Sequence, residues 1–188
     1  MYFHGLGIGY FSYLPTLHAL LAANPGRGVI LVDLPHVSIA PFNVILDYDQ
    51  TIKAVDAMFT CHCLEKVSLV GHSCGSIIAS WLIQQQPQYL AHAHLVDPEP
   101  NCIFHKFMWF VLSKDPNISK AISKELYIYE TVIFPKNITI PTTVFLADNE
   151  FSIDSVATKE YLEKQLPSHS KLMMMDTFHS GVVFQLFP

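Results

Sequence analysis

Gly71-His72-Ser73-Cys74-Gly75 is the stretch of this chain with the clearest chemical content. It has the form G-x-S-x-G, and its flanks give that form meaning. Val67-Ser68-Leu69-Val70 ahead of it reads as a buried strand. Ser76 to Gln86 behind it, rich in Ile, Ala, Trp and Leu, reads as a buried helix. A sharp strand-to-helix turn throws the middle side chain clear of the backbone, which suits a serine that attacks an electrophile. A side chain at Gly71 or Gly75 would collide where strand and helix come close. The plainer reading is a glycine-bounded turn with an ordinary serine, and the strand and helix on either side favour the nucleophile.

A nucleophilic serine needs a base, and the base needs a partner that fixes its tautomer. In open parallel sheets the active groups stand beyond the carboxyl ends of the strands. That rule sorts ten histidines. His179 follows the apolar run Lys171–Met175, in a short His179-Ser180-Gly181 loop, and is the expected base. His169 precedes that run and belongs at the opposite edge. His72 lies inside the turn, His92 and His94 lie within a strand, and His18, His36, His62 and His105 have no strand-end logic of this kind. Asp148 and Glu150 follow the run Thr142–Ala147, and Asp154 lies further out. Glu150 is preferred as the acid, because a turn must carry the carboxylate sideways, with Asp148 close behind. Asp154 fits the N-cap of the next helix. Two backbone N–H groups must hold the oxyanion. They are expected from Cys74, directly after the serine, and from Leu6 in the His4-Gly5-Leu6-Gly7 turn.

The elements needed to hold these groups are legible. Tyr2-Phe3 is a strand stub, Tyr13 to Asn24 a helix ended by Pro25-Gly26, and Gly28 to Asp33 a strand. Asp47 to Cys63 has helical spacing at Ile52, Val55, Met58 and Phe59. His92 to Val96 is a strand ending at Asp97-Pro98, and Val156 to Leu166 a helix ended by Pro167. Residues 101 to 134, with Phe104, Phe107, Trp109 and Phe110, break the alternation with two or three short helices. Strand and helix in alternation predict an α/β protein: a mostly parallel sheet with helices on both faces, in three layers. Strands without polar alternation agree, since such a sheet is covered on both sides.

Composition narrows the field. The 188 residues suit one domain, and at 51% hydrophobic and 14% charged they can bury a core. A net charge of −5 with 11 Lys and Arg and no basic run argues against nucleic-acid binding. Four cysteines are too sparse for a disulfide framework, which points to a reduced, cytoplasmic setting. No signal peptide is visible, and the longest apolar stretch, Val67 to Ile83, is cut by His72, Ser73 and two glycines, so no membrane span is expected. Cys61-His62-Cys63 has the wrong spacing for zinc and no second pair, so it reads as packing, with no metal and no cofactor expected. Gly5-Leu6-Gly7-Ile8-Gly9 lacks dinucleotide-loop spacing.

Taken together, His4-Gly5 after a strand, the Ser73 pentapeptide, the acidic turn near Glu150 and a final His179 resemble the α/β-hydrolase family, in its order Ser, acid, His. Phe3 to Gly9 with Asp33-Leu34-Pro35-His36 is similar to lipase-like members. The resemblance implies one domain over residues 1–188, shortened so that it lacks the family's first strands, with a cap-like insertion at about 101–134. It implies hydrolysis of an ester, thioester or amide through an acyl-serine. An aromatic cap points to a small-molecule ester with an apolar acyl group. Epoxide and haloalkane hydrolases carry an aspartate where Ser73 stands, which disfavours them. The alternative is a catalytically inactive relative that keeps the turn for packing and acts as a binding module. Oligomeric state is left open.

Overall fold

The computed structural model describes residues 1–5, 9–34, 38, 46–97, 135–148 and 154–176. The expectations placed on Leu6, Glu150, His179 and the 101–134 insertion fall outside those residues. The described residues form ten elements in chain order: β1 (Tyr2–Phe3), α1 (Leu14–Ala23), β2 (Leu31–Val32), α2 (Tyr48–Cys61), β3 (Val67–His72), α3 (Gly75–Gln85), β4 (Leu90–Val96), β5 (Thr142–Ala147), α4 (Ser155–Gln165) and β6 (Lys171–Met175). Short 3-10 turns occupy Gly9–Tyr13, Pro87–Tyr89 and Pro135–Asn137.

The strands form one sheet in the order β2-β1-β3-β4-β5-β6, with every pair parallel. This is the expected α/β arrangement. The chain first steps from β1 to β2 on one side, then returns past β1 to β3 and continues outward. Parallel crossovers are right-handed, so that reversal places α1 on one face and the later helices on the other. The packing agrees. Tyr2, Val96 and Phe145 meet Tyr13 and Leu17 on the α1 side. Phe3, Leu69, Leu95, Val144 and Leu146 meet Val55, Phe59, Ile78, Trp81 and Leu162 on the other. The crevice of such a sheet opens where the order reverses, here between the carboxyl ends of β1 and β3.

Local chemistry explains the elements. Asp47 caps α2 with a reciprocal box: Gln50 N–H donates to Asp47 Oδ1 at 2.8 Å, and Asp47 N–H donates to Gln50 Oε1 at 3.2 Å. Asp154 caps α4, accepting from Ala157 N–H at 3.0 Å as its position suggested. α3 is buried from Gly75 to Ile83, so it lacks a polar stripe and sits as the innermost helix. β5 is buried at all six positions, as a central parallel strand should be.

The structure differs from the sequence reading at several points. β3 runs to His72 rather than stopping at Val70, because Gly71 and His72 keep pairing with Leu95 and Val96. The strand expected over Gly28 to Asp33 pairs only at Leu31 and Val32, opposite the two-residue β1. Cys61 and Cys63, read as packing, are exposed: α2 ends at Cys61 and the chain turns at Cys63 with φ of 51°.

Candidate active site

Each strand delivers a polar group at its carboxyl end. Across the sheet these are Asp33 after β2, His4 and Gly5 after β1, Ser73 after β3, Asp97 after β4, Asp148 after β5 and Asp176 after β6. One edge of the sheet therefore collects the chemistry, and Ser73 and Gly5 flank the point where the strand order reverses.

Ser73 sits on a strained bend. Its φ of +51° is a left-handed conformation that a non-glycine residue seldom adopts. Bonds on every side hold it there. Ser73 N–H donates to Val96 O at 3.0 Å, Ser76 N–H donates to Ser73 O at 2.8 Å, and Ser76 Oγ donates to Gly71 O at 2.9 Å. Cys74 stands at the N-cap of α3, where helical N–H groups have no carbonyl a turn behind them and the helix end is electropositive.

Glycines make the bend possible. A Cβ on Gly71 would lie 2.9 Å from Gly75 O and 3.0 Å from Ala79 Cβ, and one on Gly75 would strike the carbonyl oxygens of Phe3 and His4. Helix α3 thus abuts the backbone of β1 and β3 with no room for a methyl group, the collision expected from the pentapeptide. A Cβ on Gly5 would lie 2.9 Å from His72 Nδ1 and 3.0 Å from Ser73 Cβ. The His4-Gly5 turn therefore rests directly on the bend. His4, Gly5, Gly71, Ser73, Cys74 and Gly75 lie together at this edge of the sheet.

His4 is fully buried and holds that turn from behind. Leu34 N–H donates to His4 Nε2 at 2.9 Å, so the ring proton resides on Nδ1, which donates to Gly5 O at 2.7 Å. Asp33 Oδ1 lies 3.2 Å from the same Nε2, and the shorter amide contact decides the tautomer. Gly5 N–H donates to Tyr13 Oη at 3.0 Å, and the same hydroxyl lies 2.8 Å from His72 Nδ1. Burial pushes the Tyr13 hydroxyl pKa up to about 12, so it stays protonated over the working range.

Asp148 follows β5 as expected, with its N–H donating to Met175 O at 2.9 Å and its side chain exposed. Two residues of this edge escaped the sequence reading. Tyr13 had no signal, because only folding brings it to His72, 59 positions away. Asp97 had one, since it directly follows a strand. Asp97 is 1% exposed, adopts φ of +43° and accepts from Ala147 N–H at 2.7 Å, tying the ends of β4 and β5. Among the described residues no group of three or more His, Cys, Asp or Glu could hold a metal ion. No helix among them is long and apolar enough to cross a membrane.

No protein-family model matches the chain, and no curated protein matches its sequence. Solved structures do match. Naproxen esterase (carboxylesterase NP) from Bacillus subtilis superposes with a TM-score of 0.67 at 13% identity, over 96% of this chain and 78% of that one. A serine hydrolase from the polyaromatic-hydrocarbon-degrading bacterium Cycloclasticus zankles gives 0.72 at 16% identity, over 98% and 83%. The monoacylglycerol lipase of Paleococcus ferrophilus gives 0.64 at 15% identity, over 99% and 92%. The chain has the α/β-hydrolase fold.

Proposed function

We propose that the chain is a serine hydrolase that cleaves carboxylic esters, including lipid-like ones, through an acyl-serine. The observation that carries this reading is Ser73, held at φ of +51° between the head of α3 and the His4-Gly5 turn. Strain of this kind is expensive and persists where it aims a side chain.

Ser73 Oγ attacks the ester carbonyl carbon while His179 takes its proton. The negative oxygen is held by the N–H groups of Cys74 and Leu6. Two features support Leu6 as the second donor. Gly5 N–H is committed to Tyr13. Gly5 O is taken up by His4 Nδ1, so both polar groups of Gly5 are already used. Collapse of the intermediate expels the alcohol, which takes the proton from His179. Water then gives one proton to His179 and its oxygen to the acyl carbon; the bond from Ser73 Oγ to that carbon breaks, Oγ takes the proton back from His179, and the carboxylic acid leaves.

Strand spacing supports the base. β6 lies three strands from β3, about 14 Å at about 4.8 Å per strand. Four residues beyond Met175 span up to about 13 Å, and the two side chains close the rest. β5 adjoins β6, which supports Glu150 or Asp148 as the acid that orients the His179 imidazole.

Wild-type chain and Ser73→Ala are treated with a fluorophosphonate probe and assayed on short p-nitrophenyl esters. Labelling and turnover confined to the wild type are expected. Equal labelling of both chains ends the proposal, and a folded wild type that neither labels nor turns over favours the binding-module alternative.

A further inference from the structure

Tyr13 is buried, and its hydroxyl bonds both Gly5 and His72, on the two segments from which the proposed oxyanion donors come. We infer that Tyr13 is a positioning residue: one hydroxyl bridges the Gly5 turn to the Ser73 bend and so sets the gap in which the oxyanion is held. The inference rests on the hydrolase reading and deepens it, by naming what fixes the distance between its two donor segments.

Those segments are far apart in sequence, and they belong to different strands. β1 contributes the Gly5 turn and β3 contributes His72-Ser73-Cys74. The two strands pair through Tyr2↔Val70 and Phe3↔Gly71, and the ladder ends there. Beyond that point a further link is needed to keep the turn in register with the bend. Tyr13 supplies it from a third element, the 3-10 turn Gly9–Tyr13 that leads into α1.

Its geometry leaves the hydroxyl one arrangement that uses each of its parts. The oxygen accepts from Gly5 N–H at 3.0 Å, and its single hydrogen is then donated to His72 Nδ1 at 2.8 Å. The rings meet edge to face, 5.6 Å between centroids, and Tyr13 also packs against Tyr2 at 5.3 Å, so the phenol is held in place from two sides. Tyr13 is 7% exposed and His72 5%, so water is poorly placed to replace either bond.

The bridge also decides which amide of the turn is offered to a substrate. With Gly5 N–H occupied by Tyr13 and Gly5 O by His4 Nδ1, the Gly5 peptide units are pinned at both ends. Removing the phenol oxygen frees Gly5 N–H and lets the turn drift on the bend. An oxyanion contact strengthens only as charge develops, so a misplaced donor lowers kcat while leaving substrate affinity alone.

The test compares wild type, Tyr13→Phe, His72→Phe and the double variant on one p-nitrophenyl ester. Competent serines are counted by fluorophosphonate titration, so that kcat refers to folded sites. The expected result is kcat lowered about 10- to 100-fold in each single variant with KM within about twofold, and a double variant no worse than the weaker single one. Loss of amide-exchange protection at Gly5 in Tyr13→Phe, with protection in β4 and β5 retained, is expected alongside. Unchanged kcat in Tyr13→Phe, a rise in KM alone, multiplying effects in the double variant, or an unaltered Gly5 amide overturns the inference. An inactive wild type is a different outcome. It removes the hydrolase reading and with it the catalytic role, while the Gly5 amide still reports whether the bridge exists.

Discussion

At the residue scale the site is governed by space and by tautomers. Gly5, Gly71 and Gly75 leave so little room that strand, helix and turn share one contact, and Ser73 has nowhere else to go. Under the proposed hydrolase reading, the choice of acid between Glu150 and Asp148 is a residue-scale question as well. Asp148 is still bound into the β5–β6 ladder through its N–H, and its side chain faces water. We therefore keep Glu150 as the proposed acid and Asp148 as its rival. Replacing the true acid should lower kcat about 10³- to 10⁴-fold by misplacing the tautomer of His179. Steady-state kinetics of Glu150→Gln and Asp148→Asn would show that loss in the first and a change under about tenfold in the second. The reverse pattern would assign Asp148.

At the element scale the carboxyl ends of β4 and β5 must stay together for the strand edge to keep its shape. Asp97 does this through Ala147 N–H, from a backbone conformation that aspartate and asparagine tolerate better than alanine. Asp97→Ala strands a buried amide and strains the turn, and should cost about 1–3 kcal/mol in urea unfolding. Asp97→Asn keeps an acceptor and the conformation and should recover most of that loss. The strands and helices themselves were largely legible beforehand. Short apolar runs bounded by Pro, Gly and Asp marked β3, β5 and β6, and Asp47 and Asp154 announced the helices they cap. β2 was overread because an apolar run reports burial, whereas pairing depends on the length of its neighbour, here the two-residue β1. Cys61 and Cys63 were misjudged because cysteine type suggests burial, while the end of α2 turns them outward.

At the scale of the whole molecule, pH acts through the sheet face that carries His92 and His94. Their rings lie 4.5 Å apart, and His92 Nε2 lies 3.0 Å from Thr143 Oγ1. Burial, then the neighbouring His92, pushes the pKa of His94 down to about 4. Burial, then Lys171, lowers that of His92. A depressed histidine means that the unfolded chain takes up the proton first. The stability concerned is complete above about 6.5, the ordinary histidine value, and is lost as pH falls towards 4. After allowing for partial exposure, His94 should account for about 1–3 kcal/mol of that loss. Urea midpoints between pH 7 and pH 4.5 should drop in the wild type and drop less in His94→Asn. Equal slopes would contradict the assignment.

The order of residue types along the chain was enough to determine the α/β class, the bend at Ser73 and the strand ends where partners should be sought. These follow from short-range rules: apolar runs bury, glycines permit close approach, and parallel strands point their carboxyl ends the same way. Tertiary structure alone decided that the order of strands reverses between β1 and β3, that Gly5 rests on Ser73, and that Tyr13 and Asp97 lock the edge. Those are contacts between segments tens of residues apart. No local pattern encodes them, because each depends on where the rest of the chain has already packed.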